Sequence, residues 1–169
     1  LTKSRPEKYL TKQFFGDIRK NNFQLLKDFK IDTVVHLAGL SNDPIGNIDS
    51  KITHKINTSS SIKLIDKSKE YKVSNFVFAS SCSIYGKSGN RIINEKDSLN
   101  PLTHYAKSKI DVENYIDSLS NNNLQFTKLR FATACGSSPR LRLDLVLNDF
   151  VTSAYLNKEI LLLSDGSSW

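Results

Sequence analysis

The 169-residue sequence predicts an α/β fold in which helices wind around both faces of a parallel sheet, a doubly wound arrangement. Three observations predict it. Short apolar runs alternate with longer amphipathic stretches, the runs are rich in β-branched and aromatic residues, and Gly, Ser or Asn follows them. Strand and helix in alternation are typical of parallel sheets. Because such sheets bind ligands where their strands end, we expect functional residues just after the strands.

Five apolar runs of strand length are the predicted strands. They are Gln-Phe-Phe at 13–15, Thr-Val-Val-His-Leu at 33–37, Phe-Val-Phe-Ala at 76–79, Phe-Thr-Lys-Leu-Arg at 126–130 and Ile-Leu-Leu-Leu at 160–163. Between them, apolar residues at helical spacing predict helices near 19–29, 50–71, 103–120 and 142–157. The loop at 87–101 is long enough to act as a lid or to contact a substrate.

Composition narrows the class of protein. The formal net charge is +7, with 38% hydrophobic and 24% charged residues, which is ordinary for one soluble globular domain. The sequence contains no Met and begins with Leu1, so we expect it to be a piece of a longer chain. We expect a cytoplasmic location, because no apolar run approaches the ~18 residues of a membrane span and no signal peptide is visible.

Cysteine, histidine and lysine patterns argue against three further kinds of function. Cys82 and Cys135 are too few for a disulfide scaffold, and the three histidines have no metal-ligand spacing, so no metal is expected. The lysines are scattered without an arginine-rich aromatic patch, so we expect no nucleic-acid partner. A basic nucleic-acid binder is kept as one alternative function, and a steep salt dependence of DNA binding would reveal it.

The pair Tyr105 and Lys109 is the first candidate for chemistry. The two residues are four apart on a predicted helix and therefore share one face. A cation beside a phenol favours the phenolate, as a general base near neutral pH requires. An exposed helix pair would explain the same spacing, but Val112 and Ile116 continue the stripe and place Lys109 toward the protein or a ligand.

Two strand ends supply the other candidates. Residues 79–86, Ala-Ser-Ser-Cys-Ser-Ile-Tyr-Gly, follow the strand at 76–79, and small hydroxyl residues there can hydrogen-bond a reacting oxygen. A Ser-rich turn is the structural alternative. Residues 36–41, His-Leu-Ala-Gly-Leu-Ser, follow the strand at 33–37, and their small side chains allow a flat ligand or a phosphate to approach the backbone. Close packing of a helix on a strand would need the same small residues.

Taken together and in this order, these segments resemble the NAD-dependent epimerase/dehydratase family of the extended short-chain dehydrogenase/reductase superfamily. The resemblance extends over essentially the whole chain and includes the segments at 16–19, 35–39, 80–86 and 129–136. It implies an NAD(P)-binding Rossmann-like sheet whose first two strands are missing. It also implies two regions: residues 1–136 as a partial NAD-binding domain and residues 137–169 as the start of the substrate-binding region.

The resemblance carries site residues onto this sequence. It implies that Ser81, Tyr105 and Lys109 are catalytic. It implies a cofactor-binding set along the strand ends, consisting of Asp17, Ile18, Leu37, Ala38, Gly39, Asn57, Ser80, Tyr105 and Lys109. It implies that Ser83, Thr133 and Asn148 contact the substrate. The implied cofactor is NAD, with NADP as the alternative, and no metal takes part.

Three departures from the family pattern refine the expectation. Cys82 and Ser83 stand where 4,6-dehydratases carry an Asp-Glu pair, which favours epimerisation or simple oxidoreduction over dehydration. Thr133 stands where many UDP-hexose 4-epimerases have Asn. No Gly-x-x-Gly-x-x-Gly turn occurs in the sequence, so we expect the first strand, the first helix and the second strand to lie upstream of Leu1.

The resemblance thus predicts an NAD-dependent epimerase of UDP-glucose 4-epimerase type that acts on a nucleotide-sugar. One alternative is a one-way NAD(P)-dependent reductase using the same three residues. Another is an inactive fragment or binding module, and we expect the 169 residues alone to be inactive. Family members are often dimers through the helices that include 50–71 and 103–120, which implies a homodimer for the full-length form.

Overall fold

The computed structural model describes residues 10–41, 49–87, 89, 91–119, 123–139 and 141–162. Their centre is a parallel sheet of three strands in the order β1 (Thr33–His36), β2 (Asn75–Ser81) and β3 (Gln125–Phe131). Val34 is level with Phe76 and Phe76 with Phe126, so these three residues lie on one face of the sheet. All three strands run in the same direction, and their carboxyl ends meet at one edge.

The helices connect the strands in chain order. They are α1 (Gln24–Asp28), α2 (Ser50–Thr53), a π-helical segment (His54–Ser59), α3 (Ser60–Glu70), a 3₁₀ helix (Cys82–Tyr85), α4 (His104–Ser118) and α5 (Val146–Asn157). α2, the π-helical segment and α3 follow one another without a break. Asp49 caps the start of α2 by accepting from the N–H groups of Lys51 and Ile52, and Thr103 caps α4 by accepting from Ala106 N–H.

The core lies between one face of the sheet and the helices. Burial alternates along β1 and β2, as expected for strands covered on one face. The buried apolar side chains of the cluster are Phe23, Val34, Leu64, Ile65, Val73, Phe76, Phe78, Val112, Ile116 and Leu124. Removing this area from water is the main stabilisation of the fold. On the opposite face of the sheet Val35 is 58% exposed, so no helix of the described residues covers this position.

Two predicted strands are wrong. Residues 13–15 and 160–162 are not strands, and Leu163 lies outside the described residues. Phe14 and Phe15 are mostly exposed, and Phe14 packs on Phe29, with 5.9 Å between the ring centres. A strand forms only where a neighbouring backbone accepts its hydrogen bonds, and no strand within the described ranges runs beside either segment. Apolar composition alone therefore misidentified them.

The helix predicted near 19–29 is shorter than expected. Phe23 has a left-handed backbone with φ of 58°, so the helix begins only after it. The side chains of Asn21 and Asn22 accept hydrogen bonds from the N–H groups of Phe23 and Gln24. These local bonds compete with helical ones and hold the preceding residues in turns.

Within the described ranges, no helix has the length and apolarity needed to span a bilayer.

Candidate active site

Lys109 is the buried cation at the centre of the site. It projects from α4 toward the end of β2 and is 6% exposed. Its Nζ donates a hydrogen bond of 2.7 Å to the carbonyl oxygen of Ala79 and lies 4.9 Å from the ring centre of Phe78. Burial lowers the pKa of Lys109 from 10.5 to about 8. The side chain is therefore still charged at neutral pH, although its ammonium group is largely removed from water.

Tyr105 lies one turn before Lys109 on α4, as the spacing predicts. The Nζ atom of Lys109 is 5.5 Å from the centre of the Tyr105 ring. A cation at this distance favours the ionised phenol and thus supports its use as a base. Tyr105 is only partly buried. The structure therefore brings the predicted pair together on the face of α4 that meets the sheet.

Ser81 ends β2 and caps the 3₁₀ helix that follows. Its Oγ atom accepts hydrogen bonds from the N–H of Ser83, at 3.2 Å, and from the hydroxyl of Ser83, at 2.9 Å. With both of these bonds accepted, the hydroxyl proton of Ser81 remains for donation to another oxygen. Ser83 thus orients Ser81, and the contact of Ser83 with a substrate stays a prediction.

The carboxyl end of β1 forms an open surface of small residues. Leu37 is 67% exposed, and Ala38 and Gly39 are exposed beside it. A Cβ atom on Gly39 would lie 3.0 Å from Oδ1 of Asn57, so a larger residue would push against this amide. The backbone here is accessible to a flat ligand. Ser80, in contrast, is buried in β2 and 3% exposed.

The Asn57 side chain holds the backbone after β1. Its Oδ1 accepts from the N–H of Leu40 at 2.8 Å, and its Nδ2 donates to the carbonyl oxygen of Leu40 at 3.0 Å. Nδ2 also donates to Oγ of Ser108 on α4, at 3.1 Å. We call these three bonds the Asn57 clamp. The amide of this predicted cofactor ligand is thus engaged with protein atoms.

Asp17 and Ile18 precede α1 and lie near the surface. Both carboxylate oxygens of Asp17 accept from the guanidinium of Arg19. This hydrogen bonding with Arg19 lowers the pKa of Asp17 from 3.8 to about 2, so the carboxylate is ionised at neutral pH. Ile18 is half-buried and packs against the core.

Two predicted substrate residues lie after β3, and the structure treats them differently. Thr133 is exposed in the segment after the strand. Asn148 on α5 is buried; its Oδ1 accepts from Gly136 N–H at 2.9 Å, and its Nδ2 donates to the carbonyl oxygen of Arg142 at 2.9 Å. Asn148 thus closes the loop between β3 and α5.

A buried ion pair beside the site was missed by the sequence analysis. Arg130 on β3 donates to both carboxylate oxygens of Glu113 on α4, and Glu113 is only 2% exposed. Burial opposes ionisation of Glu113, but hydrogen bonds from Arg130 lower its pKa. Arg130 also donates to the hydroxyl of Tyr85, at 2.8 Å. The pair joins α4, β3 and the turn after Ser81. Its two residues are 17 positions apart in the sequence, so only the folded structure shows that they meet.

His36, the first residue of the segment 36–41, is a buried histidine beside the site. It ends β1, is 4% exposed, and its Nε2 lies 2.7 Å from the hydroxyl of Ser61 on α3. Burial, with a smaller contribution from the charge of Lys109, lowers the pKa of His36 from 6.5 to about 4. The imidazole is therefore neutral at physiological pH.

Known proteins resemble this chain over most of its length. The model of the NAD dependent epimerase/dehydratase family matches residues 2–169. A UDP-glucose 4-epimerase of Lacticaseibacillus casei is 30% identical over 127 residues, which are 73% of this chain and 38% of that enzyme. The chain therefore spans less than half the length of this relative.

Solved structures give the same result for the fold. MoeE5, in complex with UDP-glucose and NAD, matches with a TM-score of 0.74 and 27% identity over 86% of this chain and 48% of that one. A UDP-glucuronic acid 4-epimerase from Bacillus cereus, in complex with NAD, matches with a TM-score of 0.76 and 25% identity over 89% and 47%. The family match and these structures agree with the predicted Rossmann-like fold. This chain belongs to the NAD dependent epimerase/dehydratase family.

Proposed function

We propose that the protein containing these residues epimerises a nucleotide-sugar with the help of bound NAD. The observation that carries the proposal is the convergence of Tyr105 and buried Lys109 on one face of α4, at the sheet edge where Ser81 ends β2. Relatives that carry the names UDP-glucose 4-epimerase and UDP-glucuronic acid 4-epimerase support the reaction type.

The residues at the sheet edge fit a dinucleotide. Ala38 and Gly39 leave the backbone after β1 accessible, and Leu37 presents an apolar surface on which a ring can lie. Asp17, ionised and near the surface, can accept a hydrogen bond from an adenine amino group while it remains paired with Arg19. We assign these residues, with Ile18, to the cofactor. NAD, when bound, supplies the hydride acceptor and donor that epimerisation requires.

Three side chains carry the proton chemistry. Tyr105 removes the proton from a sugar hydroxyl as its carbon is oxidised, and returns it when the carbon is reduced from the other face. The ammonium of Lys109 stabilises the phenolate of Tyr105 through its charge. Ser81, oriented by Ser83, donates a hydrogen bond to the sugar oxygen as that oxygen becomes a carbonyl.

The substrate side is proposed to begin after β3. Thr133 is exposed there and available for contact. Asn148 acts indirectly, because its amide supports the loop from Gly136 to Arg142. This arrangement supports the expected division at residue 136 between a cofactor region and a substrate region.

The first prediction concerns Tyr105. The Tyr105→Phe variant removes the acid–base group without changing the ring, so turnover falls by about 10²–10⁴-fold. The measurement follows interconversion of UDP-glucose and UDP-galactose by the purified full-length protein with NAD. Tyr115→Phe is the matched control, because Tyr115 is on the same helix but bonds to Asp66 instead.

Isotope labelling separates an epimerase from the one-way reductase. Deuterium at carbon 4 of UDP-galactose stays in the product of an epimerase, whereas a reductase consumes external NADH or NADPH. Turnover retained by the Tyr105→Phe variant would refute the assignment of the base. Absence of turnover and of NAD binding in the parent protein would instead identify an inactive module.

A further inference from the structure

A buried chain of hydrogen bonds connects the end of β1 to the first turn of α4. It begins at His36, whose Nε2 lies 2.7 Å from Oγ of Ser61. Ser61 donates its hydroxyl proton to the carbonyl oxygen of Asn57. The side chain of Asn57 donates to Ser108, and the hydroxyl of Ser108 donates to the carbonyl oxygen of Tyr105 at 2.7 Å. His36, Asn57, Ser61 and Ser108 are all at most 4% exposed.

The number of protons available to these hydrogen bonds determines which ring nitrogen of His36 carries a proton. A serine hydroxyl has one proton, and Ser61 uses it for Asn57. The short contact between Ser61 and His36 therefore requires Nε2 of His36 to be the donor. A neutral imidazole with its proton on Nε2 has none on Nδ1.

The hydrogen bonds from His36 reach the site through the π-helical segment. Asn57 lies within His54–Ser59, and its carbonyl oxygen accepts from Ser61 one turn later. Such segments are rare within helices, and they are frequent at functional sites because the extra residue redirects side chains. Here the segment carries the Asn57 amide, which forms all three bonds of the Asn57 clamp. His36, at the end of β1, holds the helical turn that carries the Asn57 side chain.

The charge of Lys109 favours a neutral His36. The ring centres of His36 and Phe78 are 6.0 Å apart, and Nζ of Lys109 lies over the same Phe78 ring. A second buried cation here would repel the first. The lowered pKa of His36 agrees with this and keeps its donor role constant across physiological pH.

We propose that His36, as the neutral Nε2–H tautomer, is a positioning residue that anchors the π-helical turn and thereby sets the Asn57 clamp. Through this clamp it places the backbone of Leu40 on the cofactor side and that of Tyr105 on the catalytic helix. The tautomer and the anchor follow from the bonding alone; only their effect on turnover rests on the proposed function.

The first test measures the tautomer directly. Long-range proton–nitrogen correlation spectra of the ¹⁵N-labelled protein at pH 7 distinguish the two ring nitrogens of each histidine. The His36→Gln variant identifies which signals belong to His36. A proton on Nε2 and a bare Nδ1 are expected. A proton on Nδ1, or an imidazolium, would overturn the proposal and leave the proposed function untouched.

The second test measures the clamp. Hydrogen exchange of Leu40 N–H reports whether this group stays bonded to Asn57. His36→Leu and Ser61→Ala each remove a partner, so exchange at Leu40 accelerates about 5- to 10-fold, as expected for one lost hydrogen bond. His36→Gln keeps a donor near Nε2 and restores slow exchange. His54→Gln, at an exposed histidine of the same π-helical segment, changes nothing.

Exchange at Phe78 N–H in the core separates this local effect from general destabilisation. Acceleration at Leu40 that exceeds acceleration at Phe78 supports the proposal. Equal acceleration at both positions, or none at Leu40 in Ser61→Ala, contradicts it.

Discussion

Lys109 shows at the scale of one residue how function opposes stability. A charged group that is 6% exposed loses most of its hydration, and the ammonium of Lys109 donates a hydrogen bond to the carbonyl of Ala79. The fall in its pKa to about 8 measures this cost. Under the proposed function, the charge has a use because it lies 5.5 Å from the ring of Tyr105, the proposed base. A buried lysine with no catalytic partner would be difficult to explain on packing grounds.

A substitution of Lys109 therefore stabilises the protein while it removes activity. Lys109→Met keeps the aliphatic bulk and deletes the buried charge, so the free energy of unfolding at pH 7 rises by about 1–3 kcal/mol. Lysine in the unfolded chain holds its proton up to pH 10.5, whereas Lys109 in the folded protein loses it above about pH 8. The parent protein therefore gains stability between pH 8 and 10.5, and the advantage of the variant disappears there.

Urea unfolding at pH 7 and pH 10 checks this expectation. Lys107→Met serves as the control, because Lys107 is exposed on the same helix. A Lys109→Met protein that is less stable than the parent at pH 7 would show that the bonds of the ammonium outweigh its burial.

At the scale of elements, the turn after β2 is held at two points. Arg130 bonds to the Tyr85 hydroxyl and to the carbonyl of Glu95, so β3 fixes both ends of a loop. Asn100 N–H donates to the carbonyl oxygen of Ile84 at 3.0 Å and closes the base of the same loop. The hydroxyl of Ser81 is thus presented by a turn whose position depends on β3 and on the segment that contains Asn100.

Gly86 is the position where this turn tolerates no side chain. Its φ is +67°, and a Cβ atom would lie 2.1 Å from the carbonyl oxygen of Asn100. Gly86→Ala therefore combines backbone strain with a steric clash and lowers the free energy of unfolding by about 2–4 kcal/mol. Gly89 also has positive φ, +60°, but has open space around it, so Gly89→Ala costs only about 1 kcal/mol.

Thermal unfolding of the two variants side by side checks the difference. Both glycines have positive φ, but Gly86 also has a ψ of −145°, a combination that is essentially restricted to Gly, so the larger loss at Gly86 measures this strain together with the contact with Asn100. Equal losses in both variants would mean that the loop moves away from Gly86 at little cost.

For the whole molecule, two buried titrating groups make stability fall in acid. Folded His36 has a pKa of about 4, and in the unfolded chain the value is 6.5, so the unfolded state binds protons first as the pH falls. This removes about 2 kcal/mol at pH 5 relative to pH 7. Glu113 acts in the same direction at lower pH, because its lowered pKa also means that the folded state resists protonation.

The His36→Gln variant isolates the histidine contribution. Because glutamine does not titrate, the stability of this variant declines less than that of the parent between pH 6.5 and 4.5. Thermal unfolding at pH 7, 6 and 5 measures the two slopes. His54→Gln should follow the parent, and parallel slopes for His36→Gln and the parent would exclude His36 as the source.

Most local features of this chain were predictable from neighbouring residues. The strand at 76–79, the helix at 103–120 and the shared face of Tyr105 and Lys109 follow from periodicity, because side-chain direction repeats within each element. The predictions of strands at 13–15 and 160–163 were not confirmed, for the opposite reason. A strand depends on a partner far away in the chain, and apolar composition says nothing about whether one lies alongside.

The family and the alternation of strands and helices could be predicted from the sequence, since both depend on residue identity and spacing. How the polar groups pair depends on the folded structure. It engages the amides of Asn57 and Asn148 with backbone atoms, joins Glu113 to Arg130, and brings His36 to Ser61, 25 residues away. Hydrogen bonds form between atoms about 3 Å apart in space, whatever their separation in the chain.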